Sequence, residues 1–213
     1  MLRLAALVLS ALLACLPASA RQLNRAGDFD FYVLSLSWSP SYCEAEGGRA
    51  DRAQCGGRPY AFVVHGLWPQ YERGFPEWCR TDQPRAPETI VRAMLDIMPA
   101  PGLVRHEWEK HGSCSGMTAQ GYFAKLRAAR ARVAIPPVFV GPADYRMVST
   151  ADVERAFQAA NPGLPADAIS VTCDLRRLRE VRICMTTDLR FRPCPEIERR
   201  GCRNPRVAMP PVR

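Results

Sequence analysis

Residues 29–43 read FDFYVLSLSWSPSYC. Leu34, Leu36 and Trp38 alternate there with Ser35, Ser37 and Ser39, and the apolar run Phe31-Tyr32-Val33 leads into them. A period of two is that of a strand, so an early strand is expected here. Residues 44–59 (EAEGGRADRAQCGGRP) are rich in glycine and charge and read as a loop that Cys43 and Cys55 can staple. Tyr60–Leu67 is the second expected strand, its apolar run continuous through Val64 as in a buried strand, and it closes on His65-Gly66-Leu67-Trp68-Pro69. Near the other end of the chain Ile169–Asp174, Glu180–Thr186 and Leu189–Arg192 read as short strands. Helices fill the middle. Residues 88–98 (ETIVRAMLDIM) place Ile90, Ala93, Met94 and Ile97 at helical spacing, stopped by the prolines at 99 and 101. A short helix is expected over about Leu103–His111, one capped by Thr118 to about Val133, and one capped by Ser149 or Thr150 to Ala160. The sum is one α+β domain whose sheet joins strands distant in sequence.

The composition fits that reading. A length of 213 residues suits one domain, or two small ones. With 47% hydrophobic and 23% charged residues the chain is neither disordered nor fibrous. Its charge is 29 − 21 = +8, with 27 arginines and only two lysines, Lys110 and Lys125. Residues 1–20, MLRLAALVLSALLACLPASA, have a basic start, an apolar run too short to span a bilayer and a small-residue ending, the layout of a secretory signal peptide. Cleavage there leaves residues 21–213 as the expected domain, with charge 28 − 21 = +7, and removes Cys15. The competing reading takes Leu12-Leu13-Ala14-Cys15 as a lipoprotein signal that retains a lipidated Cys15. Eight cysteines remain: Cys43, Cys55, Cys79, Cys114, Cys173, Cys184, Cys194 and Cys202. An even number in an exported chain points to four disulfides in an oxidising compartment. No other apolar stretch is long enough for a membrane helix.

All three histidines, His65, His106 and His111, sit in dense polar and aromatic clusters. Histidine titrates in the range that suits proton transfer near neutral pH. In residues 106–114 (HEWEKHGSC) a helix puts His106, Glu107, Lys110 and His111 on one face and points Trp108 and Glu109 elsewhere. Zinc is the obvious competitor. His106 and His111 are five apart and diverge by about 140° rather than converging as the four-residue spacing of a zincin helix does, and Lys110 would repel a divalent cation. Metal-free cleavage of RNA needs a base for the 2′-hydroxyl, an acid for the leaving 5′-oxygen and cationic donors for the phosphorane. Two histidines and a lysine supply those parts, with His65 brought across by the fold.

Residues 65–69 (HGLWP) and 106–114 (HEWEKHGSC) resemble the two active-site segments of the T-two ribonuclease family, secreted and largely base-nonspecific endoribonucleases. The resemblance extends to residues 29–43 and to the C-terminal cysteine pattern. It implies an α+β fold with a central antiparallel sheet and packed helices. It implies His65 as general acid, His111 as base, His106 as phosphate holder, and Glu107 with Lys110 as the pair that stabilises the transition state. The product would be a 2′,3′-cyclic phosphate, hydrolysed more slowly to a 3′-phosphate, and no cofactor is implied. Trp68 is similar to the family's tryptophan beside the first histidine, to pack on a base or shape the pocket. Gln70 stands where several members carry a base-contacting carboxylate or amide, and Tyr71 or Phe75 is the candidate second aromatic wall. The resemblance pairs Cys79 with Cys114, Cys173 with Cys202 and Cys184 with Cys194, leaving Cys43 with Cys55. The basic stretch Arg176, Arg177, Arg179, Arg182, Arg190, Arg192, Arg199 and Arg200 is either a phosphate track or a solvated face. RNA is thus the expected partner, the expected state a monomer in a periplasm or outside the cell, with no membrane attachment unless Cys15 is lipidated. The alternatives are a catalytically silent RNA-binding or toxin-like interaction protein on the same scaffold and, third, a metallohydrolase.

Overall fold

The computed structural model describes residues 24–213, so the leader expected at residues 1–20, with Cys15, lies outside the described residues. In chain order the elements are β1 (Phe31–Trp38), α1 (Ser39–Glu46), α2 (Arg52–Cys55), β2 (Phe62–Gln70), α3 (Glu88–Met94), α4 (Pro101–Lys110), α5 (Ala119–Ala131), β3 (Arg146–Ser149), α6 (Thr150–Ala160), β4 (Ile169–Cys173), β5 (Leu178–Met185), α7 (Pro195–Arg199) and β6 (Arg206–Met209), with short 3₁₀ turns between some of them. A four-stranded antiparallel sheet runs β2-β1-β5-β4, and β3 pairs with β6 in a separate ribbon. This is an α+β fold.

β1 lies inside the sheet, between β2 from early in the chain and β5 from late in it. Its period of two therefore separates two buried faces rather than an inside from an outside. Tyr32, Leu34, Leu36 and Trp38 join Leu67, Val181, Ile183 and the apolar sides of the helices in the main core. Phe31 and Val33 face the other way, onto Cys184, Cys194 and Ile197, with Trp68 packed against them. α5 buries Tyr122, Phe123, Leu126 and Ala129 on that main core, at the spacing of one helical face. The Tyr122 hydroxyl donates to the Leu67 carbonyl at 3.0 Å and so pins α5 to β2. Thr118 caps α5, its hydroxyl accepting from the Gly121 N–H at 3.2 Å.

Four disulfides close the fold: Cys43–Cys55, Cys79–Cys114, Cys173–Cys202 and Cys184–Cys194. The second spans 35 residues and ties the segment after β2 to the turn after α4; a bridge of that kind contributes roughly 2–5 kcal/mol. No helix among the described residues is long and apolar enough to cross a membrane.

Several expectations need correction. Leu189–Arg192 is not a strand: Thr186 and Arg190 close a turn, and one isolated bridge, Phe191 to Met185, remains. Residues 44–59 are not plain loop but carry the end of α1 and all of α2, where the Asp51 carboxylate caps the Ala53 N–H at 2.8 Å. β2 runs on through Gln70, three residues beyond expectation. The β3–β6 ribbon has strands of only four residues each, too short to carry a periodic signal.

Candidate active site

His65 lies within β2, not at its end. β1 and β2 stay in register from Phe31 opposite Gln70 to Ser35 opposite Gly66, and resume at Leu36 opposite Val64, so His65 is the extra residue of a β-bulge. A bulge re-aims the side chain it carries. The imidazole is thereby held at the mouth of a cavity of about 380 Å³. Trp68 and Gln70 of β2 line it, as do Phe75, the α4 face of His106, Glu107 and Lys110, then His111 just beyond α4, and Arg182, Ile197 and Arg200 from the last third of the chain.

The helical face expected for residues 106–111 is the one that meets the cavity. Glu107 is buried and reaches over β2, while Trp108 turns into the core, its indole donating to the Gln83 carbonyl at 2.8 Å. Gly66 makes the approach of Glu107 feasible. A Cβ there would stand 1.9 Å from Glu107 Oε2 and 2.5 Å from Trp68 Nε1. In the space left by the missing side chain, Trp68 Nε1 donates to Glu107 Oε2 at 2.7 Å.

Trp68 stands between the two histidines that the resemblance pairs. Its ring centroid is 5.2 Å from that of His65 and 5.4 Å from that of His111, and the Arg182 guanidinium lies over it at 5.1 Å. Trp68 is only partly buried and also lines the cavity, so it both contacts these neighbours and borders the open space. Phe75 is exposed and packs on His111 at 6.1 Å, which makes it the aromatic wall of the cavity. Tyr71 is not that wall: it is buried, and its hydroxyl accepts from the Asn24 N–H at 3.3 Å. Gln70 lines the cavity, but its amide already donates to the Pro69 carbonyl at 2.9 Å.

The environment drives the histidines apart in acidity. His111 is buried, and the loss of hydration, followed by the charge of Lys110, lowers it to about 3, so its imidazole is neutral at ordinary pH. Its Nδ1 has no hydrogen-bond partner among the described residues. Burial alone would also lower His65. The hydrogen bond from Nδ1 to Glu180 Oε1 at 2.5 Å, the Glu180 charge and that of Glu107, 3.5 Å from Nε2, outweigh burial and leave His65 raised. Glu107 is pushed up to about 7 by burial. His106 is exposed at the rim, against Trp78 at 5.7 Å, and is lowered by partial burial and by Lys110. Lys110 Nζ faces Glu77 at 3.6 Å.

Sequence reasoning missed Glu180. The available signal was its place two residues from Arg182 with apolar Val181 between them and Ile183 and Met185 following: a period of two puts Glu180 and Arg182 on one face. The basic stretch divides accordingly. Arg182 and Arg200 reach the cavity, whereas Arg177 and Arg179 pair with Asp174, Arg190 with Asp188 and Arg192 with Glu72.

The chain is 44% identical over 116 residues to a ribonuclease of Aeromonas hydrophila, an alignment covering 54% of this chain and 52% of that protein, so it spans about half the length of that relative. It is 28% identical over 215 residues to ribonuclease I of Escherichia coli, with 80% of each covered. Among solved structures, RNase NT in complex with 5′-AMP shares the fold with a TM-score of 0.69 at 23% identity, over 87% of this chain and all of that one. The model of the ribonuclease T2 family matches residues 29–194, a span that takes in β1, both histidine segments and the Glu180–Arg182 face of β5, and the chain belongs to that family.

Proposed function

We propose that the protein is an exported, metal-independent endoribonuclease of little base specificity. The observation that carries this is a pair of histidines on either side of Trp68 in one cavity, His65 held by the Glu180 carboxylate and raised in pKa, His111 buried beside Lys110 and lowered. Neutral His111 is suited to take the proton of the 2′-hydroxyl as that oxygen attacks phosphorus. Protonated His65 is suited to give its Nε2 proton to the departing 5′-oxygen. Lys110, with Glu107, meets the charge that builds on the phosphorane, and His106 at the rim holds the phosphate. A 2′,3′-cyclic phosphate results, and its hydrolysis runs the two proton transfers in reverse, with water in place of the 5′-oxygen. Phe75 supports weak base preference, since an aromatic face stacks on every base. Four disulfides support export into an oxidising compartment as a single catalytic domain.

The purified oxidised protein is expected to cut a defined oligoribonucleotide in excess chelator, leave the matching DNA intact and produce a cyclic phosphate terminus detectable by mass spectrometry. Survival of the RNA, or a need for added zinc, would overturn the reading.

The pH dependence follows from the same environments. His111 must be deprotonated to act as base, so kcat/KM rises as pH climbs through about 3. His65 must be protonated to act as acid, so kcat/KM falls only as pH passes its raised value, above the ordinary 6.5. The expected profile is a broad bell, with Glu107 at about 7 titrating inside it. An acid limb at the ordinary histidine value would remove the base role from His111.

A further inference from the structure

β5 brings a buried carboxylate to the back of His65. Glu180 Oε1 lies 2.5 Å from His65 Nδ1, and its other oxygen, Oε2, accepts from Arg182 Nε at 2.9 Å and Nη2 at 2.8 Å. Both carboxylate oxygens are thus engaged, Oε1 by the imidazole and Oε2 by two N–H groups of one guanidinium. Arg182 is itself held over the Trp68 ring. Taking the assignment of His65 as the proton donor above as its starting point, we infer that Glu180 is the positioning residue for that imidazole, locking the Nδ1–H tautomer so that the transferable proton is always the one on Nε2.

An ionised carboxylate can only accept, so His65 Nδ1 must carry a hydrogen in both protonation states of the ring. Glu180 is ionised: burial alone would raise it, but the His65 bond and the Arg182 guanidinium pull it down to about 2. The second ring nitrogen, Nε2, then points toward Glu107 and the cavity. When the 5′-oxygen departs, the Nε2–H bond breaks and an O–H bond forms as the P–O bond breaks, leaving neutral His65 with its remaining proton still on Nδ1. During hydrolysis Nε2 accepts a proton from the attacking water and the imidazolium is restored. Glu180 keeps its charge throughout and offsets that of the imidazolium.

The bulge makes the second partner necessary. A residue outside the β1–β2 ladder has no cross-strand neighbour on β1 to orient it. The charged and titratable groups that act on His65 among the described residues are Glu180 and Arg182 from β5 and, from α4 and the turn after it, Glu107, His106 and His111. Of these only Glu180 reaches Nδ1.

The test is a set of NMR titrations of the three histidines, paired with pH–rate profiles, on the oxidised full-length domain. In the unmodified protein His65 is expected to titrate above 6.5 with Nδ1 protonated on both sides of the transition; a value at or below 6.5, or an Nε2–H tautomer, would overturn the inference without recourse to any variant. Glu180→Gln keeps the shape and removes the charge. It is expected to lower the His65 titration and the alkaline limb of kcat/KM together by about 1 pH unit or more, while the acid limb, set by His111, stays in place. Glu180→Asp, which keeps the charge, is expected to hold His65 above 6.5. Unchanged His65 titration in a folded Glu180→Gln protein would sink the proposal. If the unmodified protein leaves RNA intact, the ribonuclease reading fails while the titration still reports on the Glu180–His65 pair.

Discussion

Replacing His65 or His111 by alanine is expected to slow RNA cleavage by at least about 10²-fold, since positioned acid–base groups contribute factors of roughly 10²–10⁴. The two losses have different signatures. Without His65 the leaving 5′-oxygen must depart unprotonated, so a substrate analogue with a better leaving group at that position should recover much of the rate in His65→Ala and little in His111→Ala. Without His111 the 2′-hydroxyl keeps its proton, and the acid limb of the pH profile should disappear. Steady-state assays on one dinucleotide and its activated analogue separate the cases. Near-normal turnover in either variant removes that residue from its role. The thermal unfolding temperature should fall in both variants, because His65→Ala takes away a partner of the buried Glu180 carboxylate and His111→Ala empties a buried site.

Gly66→Ala is expected to be as damaging, though the residue touches no substrate in the proposed reaction. The added methyl would fall 1.9 Å from Glu107 Oε2 and 2.5 Å from Trp68 Nε1, closer than any real contact. The buried Glu107 carboxylate must give way, and its bond with Trp68 is the first to go. Overpacking of this kind costs about 1–3 kcal/mol, and a displacement of about 1 Å in a catalytic group can cost 10²-fold in rate. The variant should therefore unfold at lower denaturant than the unmodified protein and cut RNA about 10²-fold more slowly. A stable and fully active Gly66→Ala protein would show that the Glu107 placement has no bearing on turnover. Serine at the same position is expected to behave no better, because the clash lies at Cβ.

Much of this site was readable before any coordinates. The helical period placed His106, Glu107, Lys110 and His111 together and excluded Glu109, and that is the face on the cavity. Thr118 announced its helix by capping chemistry alone. These features depend on residues within a turn or two of one another, where backbone geometry is fixed by local sterics. The strand at Leu189–Arg192 failed for the converse reason: the apolar Leu189 and Phe191 fit a two-residue period, but Asp188 and Arg190 close a turn around Thr186 that keeps the segment out of the ladder. Choosing Phe75 over Tyr71 likewise required the fold, since both are aromatic and four residues apart, and only packing decides which one lines the cavity.

From its order of residues alone the chain specified an α+β domain, a period-two strand at Phe31–Trp38, and a helix that gathers His106, Glu107, Lys110 and His111 on one face. Those are properties of short stretches, carried by periodicity and side-chain chemistry. The pairing of Glu180 with His65, 115 residues apart in sequence, belongs to the tertiary structure. So do the bulge at His65 and the opposite acidities of His65 and His111, because register, burial and the identity of a charged neighbour arise only when β5 lies beside β1 and α4 closes over Gly66.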